Sequence, residues 1–162
     1  MSRVIKAEPL TADAFAPFGD IVDASGDPDK MINGGMCGRY HDIATLDFGP
    51  EGRAGISVFN AQARSLPYTL DLLERHPDGS QAFIPMSAAP FLVIVAPDEG
   101  DAPGTPRAFL TAPYQGINFF RGTWHGVLTP LATPGIFAVI DRIGNTANLD
   151  EFVLDRPYMV TT

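Results

Sequence analysis

Past Gly55 the chain breaks into short apolar or alternating runs separated by glycine and proline, and this punctuation constrains the fold more than any other feature. The runs cover residues 56–59, 68–72, 81–84, 91–95, 107–110, 116–119, 125–128 and 136–140. Segments of this length, rich in valine, isoleucine and phenylalanine, form strands because branched and aromatic side chains fit a pleated surface. No helix of full length fits between them, and parallel neighbours need such crossovers. The pattern therefore predicts a mainly all-β chain folded as an antiparallel barrel or sandwich.

Helix signals are confined to the N-terminal part. Across residues 10–19, Thr11 is suited to capping, Asp13 to the positive end of a helix and Gly19 to stopping it. One or two short helices are expected there, with Leu10, Phe15 and Phe18 docking on the sheet. Residues 98–106, acidic and rich in glycine and proline, form an exposed loop. Phe152, Leu154 and Tyr158 fasten the tail onto the barrel. At 162 residues and 45 % hydrophobic, the chain has the size and apolar content of one domain, residues 1–162.

A net charge of -8 excludes nucleic acid and anionic membranes as natural partners, so a small anionic substrate needs a local basic pocket. The single cysteine, Cys37, has no internal partner for a disulfide, and the first residues carry charges where a secretion signal has an apolar core. Both point to the cytoplasm. The most apolar run, residues 90–97, is too short to cross a bilayer.

Only three histidines occur, His41, His76 and His125, which nearly specifies any site that uses imidazole. His76 ends a strand just before a Pro77, Asp78, Gly79 turn. In extended chain Glu74 and His76 share a face while Arg75 points away, and Gln81 follows directly after the turn. Gly122 suits a tight turn that leads to His125. Polar residues at strand mouths in this number suggest a site, and the expectation is that Glu74, His76 and His125 converge in the hollow of one closed sheet.

The pairing of Glu74 and His76 with Gln81, followed by Gly122 and His125, resembles a degenerate form of the two cupin motifs. More specifically, the strings Arg39 to Asp42, Leu73 to Pro77, Gln81 to Met86, Gly122 to His125 and Ile140 to Arg142 resemble the ureidoglycolate lyases. The resemblance implies a cupin-type β-barrel or jelly roll, a homodimer, and elimination of urea from ureidoglycolate to give glyoxylate in the allantoin branch of purine degradation. Such a reaction needs a base at the carbinol hydroxyl, an acid at the leaving nitrogen and positive charge near the carboxylate. Glu74 or His76 is the expected base and His125 the expected acid. Arg39, Tyr40, Asn33, Gln81, Arg75 and Arg142 are the candidate substrate-binding residues.

The family is associated with a divalent metal, nickel first, for which Glu74, His76, Gln81 and His125 offer nitrogen and oxygen donors. This chain departs from the family pattern near the second motif: Phe119 and Phe120 stand where a tyrosine and a histidine are expected, and Gly126 follows His125. Those departures keep two alternatives open, a cupin lyase or isomerase acting on another small hydroxy acid and a non-catalytic cupin that binds a small carboxylate.

Overall fold

The computed structural model describes residues 3–162. In chain order the first elements are β1 (Arg3–Pro9), α1 (Ala12–Phe15), β2 (Gly19–Val22), β3 (Lys30–Ile32), a 3-10 turn (Asn33–Gly35) and β4 (Cys37–Arg39). They are followed by β5 (Arg53–Ala61), β6 (Tyr68–Arg75), β7 (Gln81–Pro85), β8 (Phe91–Ala96) and β9 (Arg107–Leu110). The remaining strands are β10 (Gly116–Phe119), β11 (Trp124–His125), β12 (Thr129–Pro130), β13 (Gly135–Ile143) and β14 (Asp150–Thr161).

Strands β6, β14, β1, β9, β8 and β11 pair in that order, and β11 returns to β6, so they close a ring. A second sheet, ordered β2, β10, β7, β13, β5, lies against one wall of the ring, and β3 and β4 form a separate hairpin. The all-β expectation holds. One feature is not antiparallel: β1 runs parallel to both β14 and β9. These partners lie far along the chain, so the intervening strands make the crossover and no dedicated helix is needed.

Two cores follow from strand parity, save that Leu70 and Leu73 reach the same side of β6, where its pairing with β14 is irregular. Leu70, Leu73, Leu92, Ile94, Trp124 and Val160 fill the inside of the ring. Phe91, Val93 and Val95 point the other way, and with Phe83, Phe119 and Phe137 they fill the space between the ring and the second sheet. Strand β8 is consequently buried along its whole length. It has no free face for pairing across subunits.

The helix is a single turn, with the Thr11 hydroxyl accepting from the Ala14 N–H at 3.3 Å. Phe15 and Phe18 dock into the second core, as their spacing predicts. One strand expectation needs correction. The run 125–128 is not one strand: β11 ends at His125, and pairing resumes at β12. Phe152, Leu154 and Tyr158 do fasten the tail onto the ring core, and the missed feature is that they do so as part of a twelve-residue strand, β14.

Candidate active site

Glu74 and His125 sit directly opposite each other where β6 pairs with β11. Alternation then decides where they point. Leu73 and Trp124 belong to the core inside the ring, so Glu74, His76 and His125 leave through its outer wall, toward the second sheet. The three residues do converge, with one ligand atom from each within 4.8 Å of the others. They do not meet in the hollow of the closed sheet, which leucine and tryptophan side chains already fill. The site lies instead in the space between the two sheets.

Backbone carbonyls orient both imidazoles and engage their Nδ1 atoms. His76 Nδ1 lies 2.9 Å from the Asn148 carbonyl and His125 Nδ1 lies 2.8 Å from that of Gly126. A carbonyl only accepts, so each Nδ1 carries a hydrogen, and in the neutral ring the lone pair is therefore on Nε2. Both Nε2 atoms are buried and have no hydrogen-bond partner. Burial, opposed by the Gly126 carbonyl and reinforced by His76, pushes His125 down to about 3, which keeps it neutral. Burial also raises the Glu74 carboxyl, against the pull of His76 and with a smaller push from Glu151.

With both rings neutral and Glu74 ionised, the state a bound cation selects, the cluster presents three acceptors and no donor. A cation satisfies such a set, and histidines whose Nδ1–H is held by a backbone carbonyl are the usual ligands of first-row divalent metals. The donor set fits a divalent ion held by Glu74, His76 and His125.

The second sheet supplies the facing wall. One lateral row across it contains Phe119, Gln81 and Asp141. Phe119 stacks on His125. Gln81 is 6 % exposed and donates from Nε2 to Asp141 Oδ2 at 3.1 Å, while its Oε1 is buried without a partner. Glu74, His76, Gln81, Asp141 and Arg142 line an open cleft of about 360 Å³. A larger depression of about 560 Å³ beside α1 and β2 contains Phe120, Asp20 and Asp23 but no imidazole, so the chemistry belongs to the smaller cleft. Phe120 therefore faces away from the cluster.

The other expected contacts are distributed differently. Asn33, Arg39 and Tyr40 belong to the β3–β4 hairpin and its exit, and none lines the cleft. The Tyr40 hydroxyl donates to the Gly26 carbonyl at 2.7 Å. Arg75 points away from Glu74, covers the Trp124 ring at 4.5 Å and is clamped by Asp98, Asp101 and Asp150. Arg142 lines the cleft while donating to the Phe48 carbonyl and the Thr146 hydroxyl, both at 2.9 Å.

Asp141 escaped sequence reasoning although a signal existed. Phe137, Val139 and Asp141 share one face of β13, and an acid on an otherwise apolar inward face is a polar site by parity alone. Asn148 carries no comparable signal, because its contribution is a backbone carbonyl.

A sequence model of the family described as "Ureidoglycolate lyase" matches residues 2–161. The chain is 62 % identical to the ureidoglycolate lyase of Rhodobacter capsulatus, over 94 % of this chain and 95 % of that one. It is 52 % identical to the one from Mesorhizobium japonicum, over 96 % of each chain. For the one from Chelativorans sp. the identity is 51 %, over 98 % of this chain and 96 % of the relative. Near full-length matches at this identity leave one conclusion about ancestry: the chain belongs to the ureidoglycolate lyase family.

Proposed function

We propose that this chain is a carbon–nitrogen lyase that eliminates urea from ureidoglycolate and releases glyoxylate. The observation that carries the reading is the cluster of Glu74, His76 and His125, with ligand atoms within 4.8 Å of one another, of which Glu74 and His76 line a cleft sized for a small molecule. When bound there, a divalent ion, nickel first, supplies Lewis acidity that polarises the oxygen atoms of the substrate.

The residues divide the remaining work. His76 and His125, locked with Nε2 free, act as ligands. A neutral His125 has no proton at Nε2 to give, so the acid role expected for it from the sequence passes to Glu74. A carboxylate has two oxygens. One would hold the ion when it is bound, and the other takes the carbinol proton and hands it to the leaving nitrogen. The hydroxyl O–H and the carbon–nitrogen bond break, the carbonyl of glyoxylate forms, and the nitrogen receives the bonding pair and the proton, so atoms and charge balance. Arg142, with guanidinium donors beyond the two already used, meets the substrate carboxylate at the rim.

The proposal includes a homodimer of single-domain subunits. Its support is the outer face of β5, β13 and β7, where Ile56, Val58, Ile84, Ala138 and Ile140 form a continuous apolar surface, with Ile56 75 % and Val58 61 % exposed. A reducing, cytoplasmic setting fits the lone, exposed Cys37. No helix among the described residues is long and apolar enough to cross a membrane.

Incubating the nickel-supplemented protein with racemic ureidoglycolate tests the activity. Glyoxylate and urea in equal amounts from one enantiomer support it. Ammonia in place of urea indicates hydrolysis, and binding without turnover indicates a carboxylate-binding protein; either result overturns the lyase.

A further inference from the structure

We infer that Asp141, together with the Gln81 side chain it holds, recognises the N–H edge of the ureido group. This rests on the lyase reading for its substrate, but its evidence is separate from the metal cluster. Gln81 and Asp141 are lateral partners on β7 and β13, they line the same cleft as Glu74 and His76, and neither belongs to the three-residue cluster.

Chemistry fixes the orientation of the amide. A carboxylate only accepts, so the end of Gln81 that lies 3.1 Å from Asp141 Oδ2 is Nε2. Oε1 is thereby turned away from Asp141, and it is buried with nothing to accept from. A buried amide oxygen without a donor costs roughly 1–3 kcal/mol, so its place at a ligand cleft calls for a donor from the ligand. Asp141 spends one of about four lone-pair directions on Gln81 and keeps the rest.

Together these groups bring two acceptors to the cleft, the unpartnered Gln81 Oε1 and the remaining lone pairs of Asp141. A ureido group is the complementary object. Its two nitrogens place N–H bonds side by side on the edge opposite the carbonyl, which matches a carboxylate, and the terminal nitrogen has a further N–H for an amide oxygen. A carboxylate, an ester or a methyl group at that position offers no donor, so Gln81 Oε1 stays buried and unpaired and Asp141 gains nothing beyond its bond to Gln81. The pair therefore selects ureido compounds from other small substituted acids, including the alternative hydroxy acids that the departures at Phe119 and Phe120 left open. Gln81 then serves the substrate and not the metal.

The test uses N-carbamoylglycine, which carries the ureido group and the carboxylate but lacks the carbinol hydroxyl, so it binds without reacting. N-acetylglycine replaces its terminal amine with a methyl group. Calorimetric titration of the nickel-loaded wild-type protein should favour the carbamoyl compound by roughly 10- to 100-fold, the range expected for hydrogen bonds to a charged acceptor. Asp141→Asn should abolish that preference while nickel affinity changes by less than about twofold, because the substitution removes an acceptor without touching the metal cluster. The wild-type comparison stands even if the variant fails to fold. A wild type with no preference, a variant that keeps the preference, or a variant that loses nickel affinity in parallel would each overturn the inference. Absence of turnover with ureidoglycolate sinks the lyase reading alone, since the binding preference is measured independently.

Discussion

Phe119 lies flat on His125, with ring centroids 4.3 Å apart and planes within 5° of parallel. The two residues belong to different sheets, so the stack bridges the layers at the candidate metal site and sets the plane of a ligand ring. Phe119→Leu keeps most of the apolar volume, so its stability cost should stay below about 1.5 kcal/mol. The flat support is lost, and nickel affinity should fall by about 10-fold, as expected when a partner that orients a ligand is removed. Denaturant unfolding and calorimetric nickel titration check both numbers. Wild-type affinity in a stable leucine variant would reduce the stack to space filling.

The division of labour within the cluster predicts two kinds of variant. His76→Ala and His125→Ala should lose bound nickel and turnover together, because each removes a nitrogen donor from a set held within 4.8 Å. Glu74→Gln keeps an oxygen donor but has no carboxylate to carry the proton. It should retain measurable nickel binding while the rate falls about 100-fold or more. Metal content by mass spectrometry beside steady-state kinetics separates the cases. A glutamine variant with wild-type turnover would move the proton transfer to another group.

His125 also predicts an acid-side weakness in the metal-free protein. Its folded value is about 3 against an ordinary 6.5. Between those values the unfolded chain binds a proton that the folded chain refuses, so stability is present above pH 6.5 and declines as the pH falls toward 3. At about 1.4 kcal/mol per unit, the limit of that loss is roughly 5 kcal/mol. Glu74 acts in the opposite sense. Its raised carboxyl value means that its contribution is complete below the ordinary value of 4.5 and fades as the pH rises through the folded one. The two effects overlap, so the difference between wild type and His125→Asn isolates the histidine. In chelator-treated samples the variant should show a flatter stability curve between pH 6.5 and 3; parallel curves would mean that His125 titrates normally.

The sequence carried the strands that were both apolar and bounded by turn residues, and it carried the shared face of Glu74 and His76, because parity within one strand is a local property. It carried a closed barrel but not the side of the closed ring on which that face lies. Whether the face of Glu74 turns into the hollow or away from it depends on where Leu73 and Trp124 pack, and both pack inside. Strand β14 was illegible for a related reason: it alternates between exposed and half-buried residues and is irregular between Val153 and Tyr158. Phe119 looked like the loss of a polar residue until its ring was found against His125. Arg75, central to the motif as a string, proved to be held by three aspartates on the far side of the strand.

Asn148 ties the loop after β13 to the turn after β6 and sets the protonation pattern of a candidate ligand. Its carbonyl accepts from His76 Nδ1 at 2.9 Å, its side-chain oxygen accepts from the Asp78 N–H at 2.8 Å, and its backbone sits at φ 50. Asparagine tolerates that left-handed conformation, glycine adopts it freely, and alanine is strained there by about 1–2 kcal/mol. Asn148→Gly therefore loses only the side-chain hydrogen bond, worth about 1 kcal/mol, and Asn148→Ala loses the bond and adds the strain. Stability in guanidinium should fall in the order wild type, glycine, alanine. Nickel affinity should follow the same order, since a displaced carbonyl frees His76 to change tautomer and withdraw its lone pair from the cluster. Equal stability for the two variants would show that the backbone at this position is unstrained, and unchanged nickel affinity in both would detach the loop from the ligand.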